Sequence, residues 1–396
     1  MSVNVSWDPG RVVVERVVVV GAGLAGLQTV VALRAQGYAG QLTLLGAEGV
    51  PPYDRPPLSK QVLMRSADDS TLDADWDELD VDARLSTRAW SVGDGVVSTD
   101  DGDLGYDSLV LATGAEPRRL PGAESALTLR TLTDSLRLRE ALRPGARLVI
   151  VGAGWIGAEV ATAAVAAGAE VTVVEGLPTP LAGALPAEVG TRMLPWWSAV
   201  DLRLGELVDA VEPDAVHLAG GDRVTADVVL LGVGARPVSV AGVDLTAGGA
   251  VAVDRGLRTS VPSVLAVGDC AAWVSRRYDV RMHVEHWDNA LHGPTVAAAN
   301  ALGGDEVWDP VPYFWSEQWG RMVQYAGHHP AGDRVVWRED GERWAAFWLA
   351  GDQLVAALTV GRPRDLVQAR HLMQRDAVVD AALLADPAVA VKKAAV

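Results

Sequence analysis

The run Val17-Val18-Val19-Val20-Gly21-Ala22-Gly23-Leu24-Ala25-Gly26 decides the fold. Four consecutive valines read as a buried strand, and Leu27 to Leu33 then reads as a helix. Between them stands G-x-G-x-x-G. The first glycine allows a tight turn, the second lets backbone approach a pyrophosphate, and the third lets the helix pack on the strand. The helix N-terminus adds unpaired N–H groups and a positive dipole end. Leu42 to Leu45 reads as the next strand, with Glu48 just beyond it, where an acidic group meets a ribose 2′-hydroxyl. One such motif is a weak signal, but this chain carries it twice.

The second copy is Leu148-Val149-Ile150-Val151-Gly152-Ala153-Gly154-Trp155-Ile156-Gly157, 131 positions on from the first. A helix to about Ala167 follows, then a strand from Glu170 to Val174, and then Glu175. A further echo supports duplication. Asp107 to Pro117 and Asp227 to Pro237 place Asp, Gly, Ala and Pro at the same offsets, 120 positions apart, with Gly114 and Gly234 as counterparts. Two nucleotide-binding units in one chain predict two nucleotides bound face to face.

At 396 residues, 49% of them apolar, the chain has material for two or three domains. No apolar run approaches a membrane span. Residues 1–14 read as a short extension without a secretory pattern, so the expectation is a cytoplasmic protein. The single cysteine, Cys270, excludes a disulfide framework and the usual zinc patterns. His328-His329 has no Cys or carboxylate pattern nearby, and no metal is expected. The net charge of −17 opposes nucleic-acid binding and repels an acidic protein unless basic residues cluster at a docking face. Lysine occurs only at 60, 392 and 393, the last two in a tail expected to be mobile. Lys60 therefore suggests a site that needs a compact ammonium, with an ordinary surface lysine as the alternative.

The proline-rich stretch Pro51 to Pro57 reads as a stiff loop that carries Arg55 and Lys60 past the first nucleotide. Asp68 to Asp82 reads as an acidic, exposed segment. Ser263 to Asp269 reads as a strand ending in Gly268-Asp269. Its carboxylate stands where open α/β sheets bind ligands, or caps a helix starting near Ala271; both roles are compatible. From about Pro310 the pattern becomes alternating and Trp-rich. Val335 to Trp337, Trp344 to Leu349 and Leu354 to Val360 predict an antiparallel sheet, and Asp365 to Gln374 and Ala377 to Leu384 predict helices. Trp315 and Trp319 precede that sheet in a polar segment, where an aromatic lid facing a cofactor ring is expected.

With these residues placed, the chain resembles the ferredoxin reductase group of FAD- and pyridine-nucleotide-dependent oxidoreductases. The motifs that carry the resemblance are Tyr53 to Lys60, Ala112-Thr113-Gly114-Ala115, the glycine motif ending at Glu159, Val267 to Ala272, Glu285 to Ala290, and Pro312 to Gln318. The resemblance implies an α/β chain with two Rossmann-like domains, one discontinuous for FAD and one inserted for NAD, plus a C-terminal α+β domain. The boundaries it suggests are 1–117 and 241–310 for FAD, 118–240 for NAD, and 311–396 for the C-terminal domain.

By that resemblance Ala25, Lys60, Ala89, Arg130, Asp269 and Trp287 fall at FAD-contacting positions. The same motifs make Arg55, Ala112, Thr113, Gly114, Gly268, Glu285, His286 and Trp315 cofactor-binding candidates. Lys60 would lie near flavin N5 and pair with Glu159, and the two would be the catalytic residues. At the first ribose the acidic position is left open between Ala47 and Glu48. Glu175 favours NADH over NADPH, because it repels a 2′-phosphate, and Thr179 removes an arginine common in relatives.

The implied function is transfer of a hydride from NADH to FAD, then of single electrons to a [2Fe-2S] ferredoxin feeding an oxygenase such as a cytochrome P450. The ferredoxin would bind transiently between the FAD and C-terminal domains. Arg321, Arg334, Arg338, Arg362 and Arg364 would either offset charge there or stand as plain solvated residues. An NADH oxidase or quinone reductase, and a flavin-bearing sensor or scaffold, are the alternatives. A monomer or homodimer is expected.

Overall fold

Val17 to Val20 are 0–4% exposed in the computed structural model, which describes residues 14–396. They lie in the Arg16–Val20 strand at the centre of a five-stranded parallel sheet, in the order Val264–Ala266, Ser108–Leu111, Arg16–Val20, Gln41–Leu45, Asp82–Arg84. Parallel strands covered on both faces need unbroken apolar runs, which is why this valine run shows no alternation. The register pairs Val18 with Thr43 on one side and with Leu109 on the other.

The chain divides into two compact units. The first holds residues up to Pro52, Leu72–Ala115 and Pro237–Asp309; the second holds Tyr53–Thr71, Glu116–Arg236 and Pro310–Val396. This division follows a different line from the expected boundaries. It groups the Lys60 loop and the C-terminal segment with the second glycine motif.

The second unit repeats the first sheet in shorter form. Its parallel strands run Asp201–Leu204, Glu170–Glu175, Arg147–Val151, Val228–Leu231. Its C-terminal part is a five-stranded antiparallel sheet, in the order Tyr313–Gln318, Arg321–Gly327, Gln353–Val360, Arg343–Ala350, Arg334–Asp340. Leu366, Ala369, Leu372 and Met373 form the buried stripe of the Pro363–Gln374 helix and pack with Ala345, Phe347 and Leu349 of that sheet.

Three expectations need correction. No helix starts near Ala271: a short 3₁₀ turn at Gly268–Cys270 leads into the Ala271–Ser275 strand, so Asp269 lies inside that turn and not at a helix N-terminus. The last helix is only Ala381–Ala385, because the Asp380 side chain takes the N–H groups of Ala382 and Leu383 as its N-cap, while Val378 and Val379 make β-bridges with Gln353 and Ala395. The C-terminal lysines are not on a loose tail. Val391 and Ala394 are fully buried and fix the turn that displays Lys392 and Lys393. Among the described residues no helix is long and apolar enough to cross a membrane.

Candidate active site

Each unit contains a cradle in which two glycines are forced and one is open. A Cβ on Gly21, whose φ is +114°, would lie 2.2 Å from the Ala112 carbonyl oxygen, and one on Gly26 would lie 1.7 Å from the Gly21 carbonyl oxygen. A Cβ on Gly23 would meet nothing within 4 Å. The second unit repeats this: Gly152, with φ +106°, is blocked by Gly232 at 2.4 Å and Gly157 by Gly152 at 2.1 Å, while Gly154 has only a contact at 3.9 Å. The outer glycines thus close the strand–turn–helix packing, and the middle one leaves room where a pyrophosphate approaches backbone. Gly23 and Gly154 are also the N-caps of the Leu24–Ala35 and Trp155–Ala166 helices, and neither cap is filled by a side chain. Both cradles fit a dinucleotide.

The duplication extends to a clamp behind each cradle. Arg16 and Arg147 open the central strands, and their guanidinium groups pair with Asp107 at 2.8 Å and Asp227 at 2.6 Å. The same carboxylates accept the arginines' own backbone N–H groups. The hydrogen-bonded guanidinium of Arg147 pulls the Asp227 carboxyl down to about 2.

In the first unit, Gly268, at φ +75°, brings its turn against Ala25, and Asp269 follows it at the end of the Val264–Ala266 strand. Thr113 donates to the Val238 carbonyl, and Gly114 turns with φ +72°. Ala89 opens the Ala89–Gly93 strand. Glu285, His286 and Trp287 are half-buried where the Trp287–Ala301 helix begins. Burial pushes the His286 imidazole down to about 4, against the opposing charge of Asp269. The candidate ribose acid Glu48 is exposed.

In the second unit, Glu175 is half-buried at the end of its strand and accepts the N–H of Ala153, inside the glycine turn, at 2.8 Å, and that of Leu177 at 2.9 Å. Arg55 donates to the Arg130 carbonyl at 2.7 Å and to the Tyr53 hydroxyl at 3.0 Å. Gly234, at φ +98°, accepts the Arg118 N–H.

Lys60 and Glu159 are 6% and 5% exposed, which removes the surface-lysine alternative. Lys60 Nζ donates to Glu159 Oε2 at 2.8 Å. Two serines that sequence reasoning did not single out complete this carboxylate's shell: Ser59 donates to Oε2, and Ser316 donates to Oε1 at 2.6 Å. The available signal for Ser316 was a hydroxyl in an aromatic-rich strand at a position that alternation turns inward.

The placement of the two tryptophans is corrected: they belong to the first hairpin of the sheet rather than preceding it. Trp315 lies within the edge strand Tyr313–Gln318 and stacks on Tyr313, with ring centroids 6.1 Å apart. Trp319 packs edge-on against the buried Trp197 at 5.1 Å. The arginine docking set also changes. Arg338 is fully buried, pairing with Asp365 at 3.2 Å and bonding the Leu384 carbonyl, so it faces no partner. Arg362 pairs with Asp340 and Asp365, and Arg334 with Asp352. Arg321 lies over the Trp196 ring, and Arg364 is exposed.

Residues 15–293 match the family described as pyridine nucleotide-disulphide oxidoreductase, and residues 313–395 match the reductase C-terminal family. The chain is 36% identical over 400 residues to the ferredoxin–NAD(+) reductase component of the anthranilate 1,2-dioxygenase system of Burkholderia cepacia, covering 95% of this chain and 98% of that protein. The crystal structure of Fdr9 superposes with a TM-score of 0.91 at 47% identity, covering 95% of this chain and 99% of that one. A covalent putidaredoxin reductase–putidaredoxin complex superposes with a TM-score of 0.90 at 32% identity, covering 96% and 97%.

Proposed function

The chain belongs to the pyridine nucleotide-disulphide oxidoreductase family, and from that membership we propose that it is an FAD-containing, NADH-dependent ferredoxin reductase. The relatives named as reductase components of oxygenase systems, and the neighbour captured with putidaredoxin, support a ferredoxin as electron acceptor. The acceptor proposed here is a [2Fe-2S] ferredoxin that feeds an oxygenase such as a cytochrome P450, with the whole exchange in the cytoplasm.

The observation that carries this reading is the doubled glycine cradle, one per unit. The first cradle is assigned to FAD and the second to NADH. FAD, when bound, accepts two electrons from NADH as a hydride and releases them one at a time. The protein's own groups bind, orient and tune. Lys60 is assigned to offset negative charge on the reduced cofactor, and Glu159 holds that ammonium in place. Glu175, fixed by two backbone N–H groups, presents a carboxylate that tolerates a 2′-hydroxyl and repels a 2′-phosphate.

The family name refers to disulphides, yet a disulfide within the chain needs two cysteines and this chain has one. Cys270 is fully buried, and burial pushes its thiol pKa up, which suits a packing residue rather than a nucleophile. Electrons therefore pass to the acceptor without sulfur. Anaerobic titration tests the reading: purified protein should be yellow, bleach with NADH, and respond far more weakly to NADPH. Protein that takes up no flavin, or holds flavin that NADH cannot reduce, would disprove it.

A further inference from the structure

One face of the Trp155–Ala166 helix and one face of the Tyr313–Gln318 strand meet in register. Trp155 packs edge-on against Phe314 with ring centroids 4.8 Å apart. Glu159 receives the Ser316 hydroxyl at 2.6 Å. The Trp319 N–H, just past the strand, donates to Thr162 Oγ1 at 3.0 Å. Four helical residues rise about 6 Å and two strand residues advance about 6.6 Å, so 155 and 159 fall naturally opposite 314 and 316.

Within this seam Ser316 is 1% exposed and Glu159 5%. Gln318, also 1% exposed, donates its amide N–H to Ser316 Oγ at 3.4 Å, which turns the serine proton toward the carboxylate. The donors are divided between the two carboxylate oxygens. Oε2 takes Ser59 and Lys60, and Oε1 takes Ser316. A carboxylate held through one oxygen can pivot about that contact, whereas one held through both cannot.

We infer that Ser316, contributed by the C-terminal sheet, is a positioning residue that locks the Glu159 carboxylate and, through it, the Lys60 ammonium for hydride transfer. The inference rests on the assignment of Lys60 and Glu159 made above. It adds that the C-terminal segment completes the reacting group rather than serving only as a surface.

The test uses the flavin-loaded full chain with Ser316→Ala, which removes one hydroxyl and leaves the backbone pairing of residue 316 with Val323 intact. Single-turnover flavin reduction by NADH should slow by ~10-fold, the scale of one lost hydrogen bond to a charged group, while the NADH dissociation constant stays the same. A second readout is independent of turnover. Infrared difference spectra, with Glu159→Gln used to identify the Glu159 carboxylate stretch, should show that band shifted and broadened in Ser316→Ala. An unmoved band together with a wild-type reduction rate would overturn the inference. A Glu159→Gln protein reduced as fast as wild type would instead overturn the role of Glu159, and the band shift would still report the serine contact.

Discussion

The two cradles make the same turn and differ in what stands at the end of the next strand. In both, the first glycine is blocked by a carbonyl about 2.2–2.4 Å from a would-be Cβ, the third is blocked by the first, and an Arg–Asp clamp closes the rear. After the second strand they part. Glu175 is drawn back into its own glycine turn by two backbone N–H groups, while Glu48 is exposed beyond the end of its strand. The turn is dictated by atoms that touch; the strand end is not, and that is where the proposed function puts the choice between one nucleotide and another.

The glycines give the sharpest way to break this equivalence. Gly21→Ala should abolish flavin retention, and Gly152→Ala should leave the protein yellow but unresponsive to NADH, because each added Cβ falls inside van der Waals contact and at an unfavourable φ. Absorbance after purification and an NADH titration separate the two. Gly23→Ala and Gly154→Ala should keep the wild-type Tm, since no protein atom opposes the new methyl closely. They should still weaken their own nucleotide's binding, an asymmetry visible by calorimetry. If Gly21→Ala and Gly23→Ala behaved alike, the cradle description would be wrong.

Acidification should load the two units unequally. Burial holds His286 in the first unit and His329 in the second at about 4, with His328's charge adding to the effect at His329. Unfolded histidine titrates near 6.5, so between about 6.5 and 4 the unfolded chain binds more protons and stability falls as pH falls. The His286 contribution is up to about 3 kcal/mol, and that of His329 is smaller because it is more open to solvent. A Tm series across this range should decline, and the decline should shrink in His286→Gln.

A smaller effect is expected at the strand ends. Glu175→Ala should narrow the NADH preference over NADPH by ~10-fold in kcat/KM, the value of one charged contact. Glu48→Ala should barely change flavin retention. Equal effects would mean that the two acids do the same work. The smallest change is expected for Asp107→Asn and Asp227→Asn, whose clamps are solvent-exposed, and a small drop in Tm at neutral pH would measure it.

Much of this was legible from the sequence. The outer glycines of each motif are fixed by backbone approach, which leaves no choice of residue there, and Lys60 stood out because the chain otherwise uses arginine almost throughout. The misread segments are those whose structure is set from far away. Ala271 and Ala272 have no periodicity of their own and become strand by pairing, Ala272 with His283. Arg338 looks like a surface charge until Asp365 and the Leu384 carbonyl meet it in the core. Ser316 was visible within a recognised motif, but only the facing helix reveals what its hydroxyl bonds.

The one sulfhydryl of this chain lies sealed against the carbonyls of Leu111 and Val267 in the first unit. Alkylating reagents should therefore pass the native protein by, and the rate at which Cys270 is modified becomes a clock for opening of that unit. The same silence leaves the exterior blank, so a cysteine introduced at any chosen exposed position would carry a label alone.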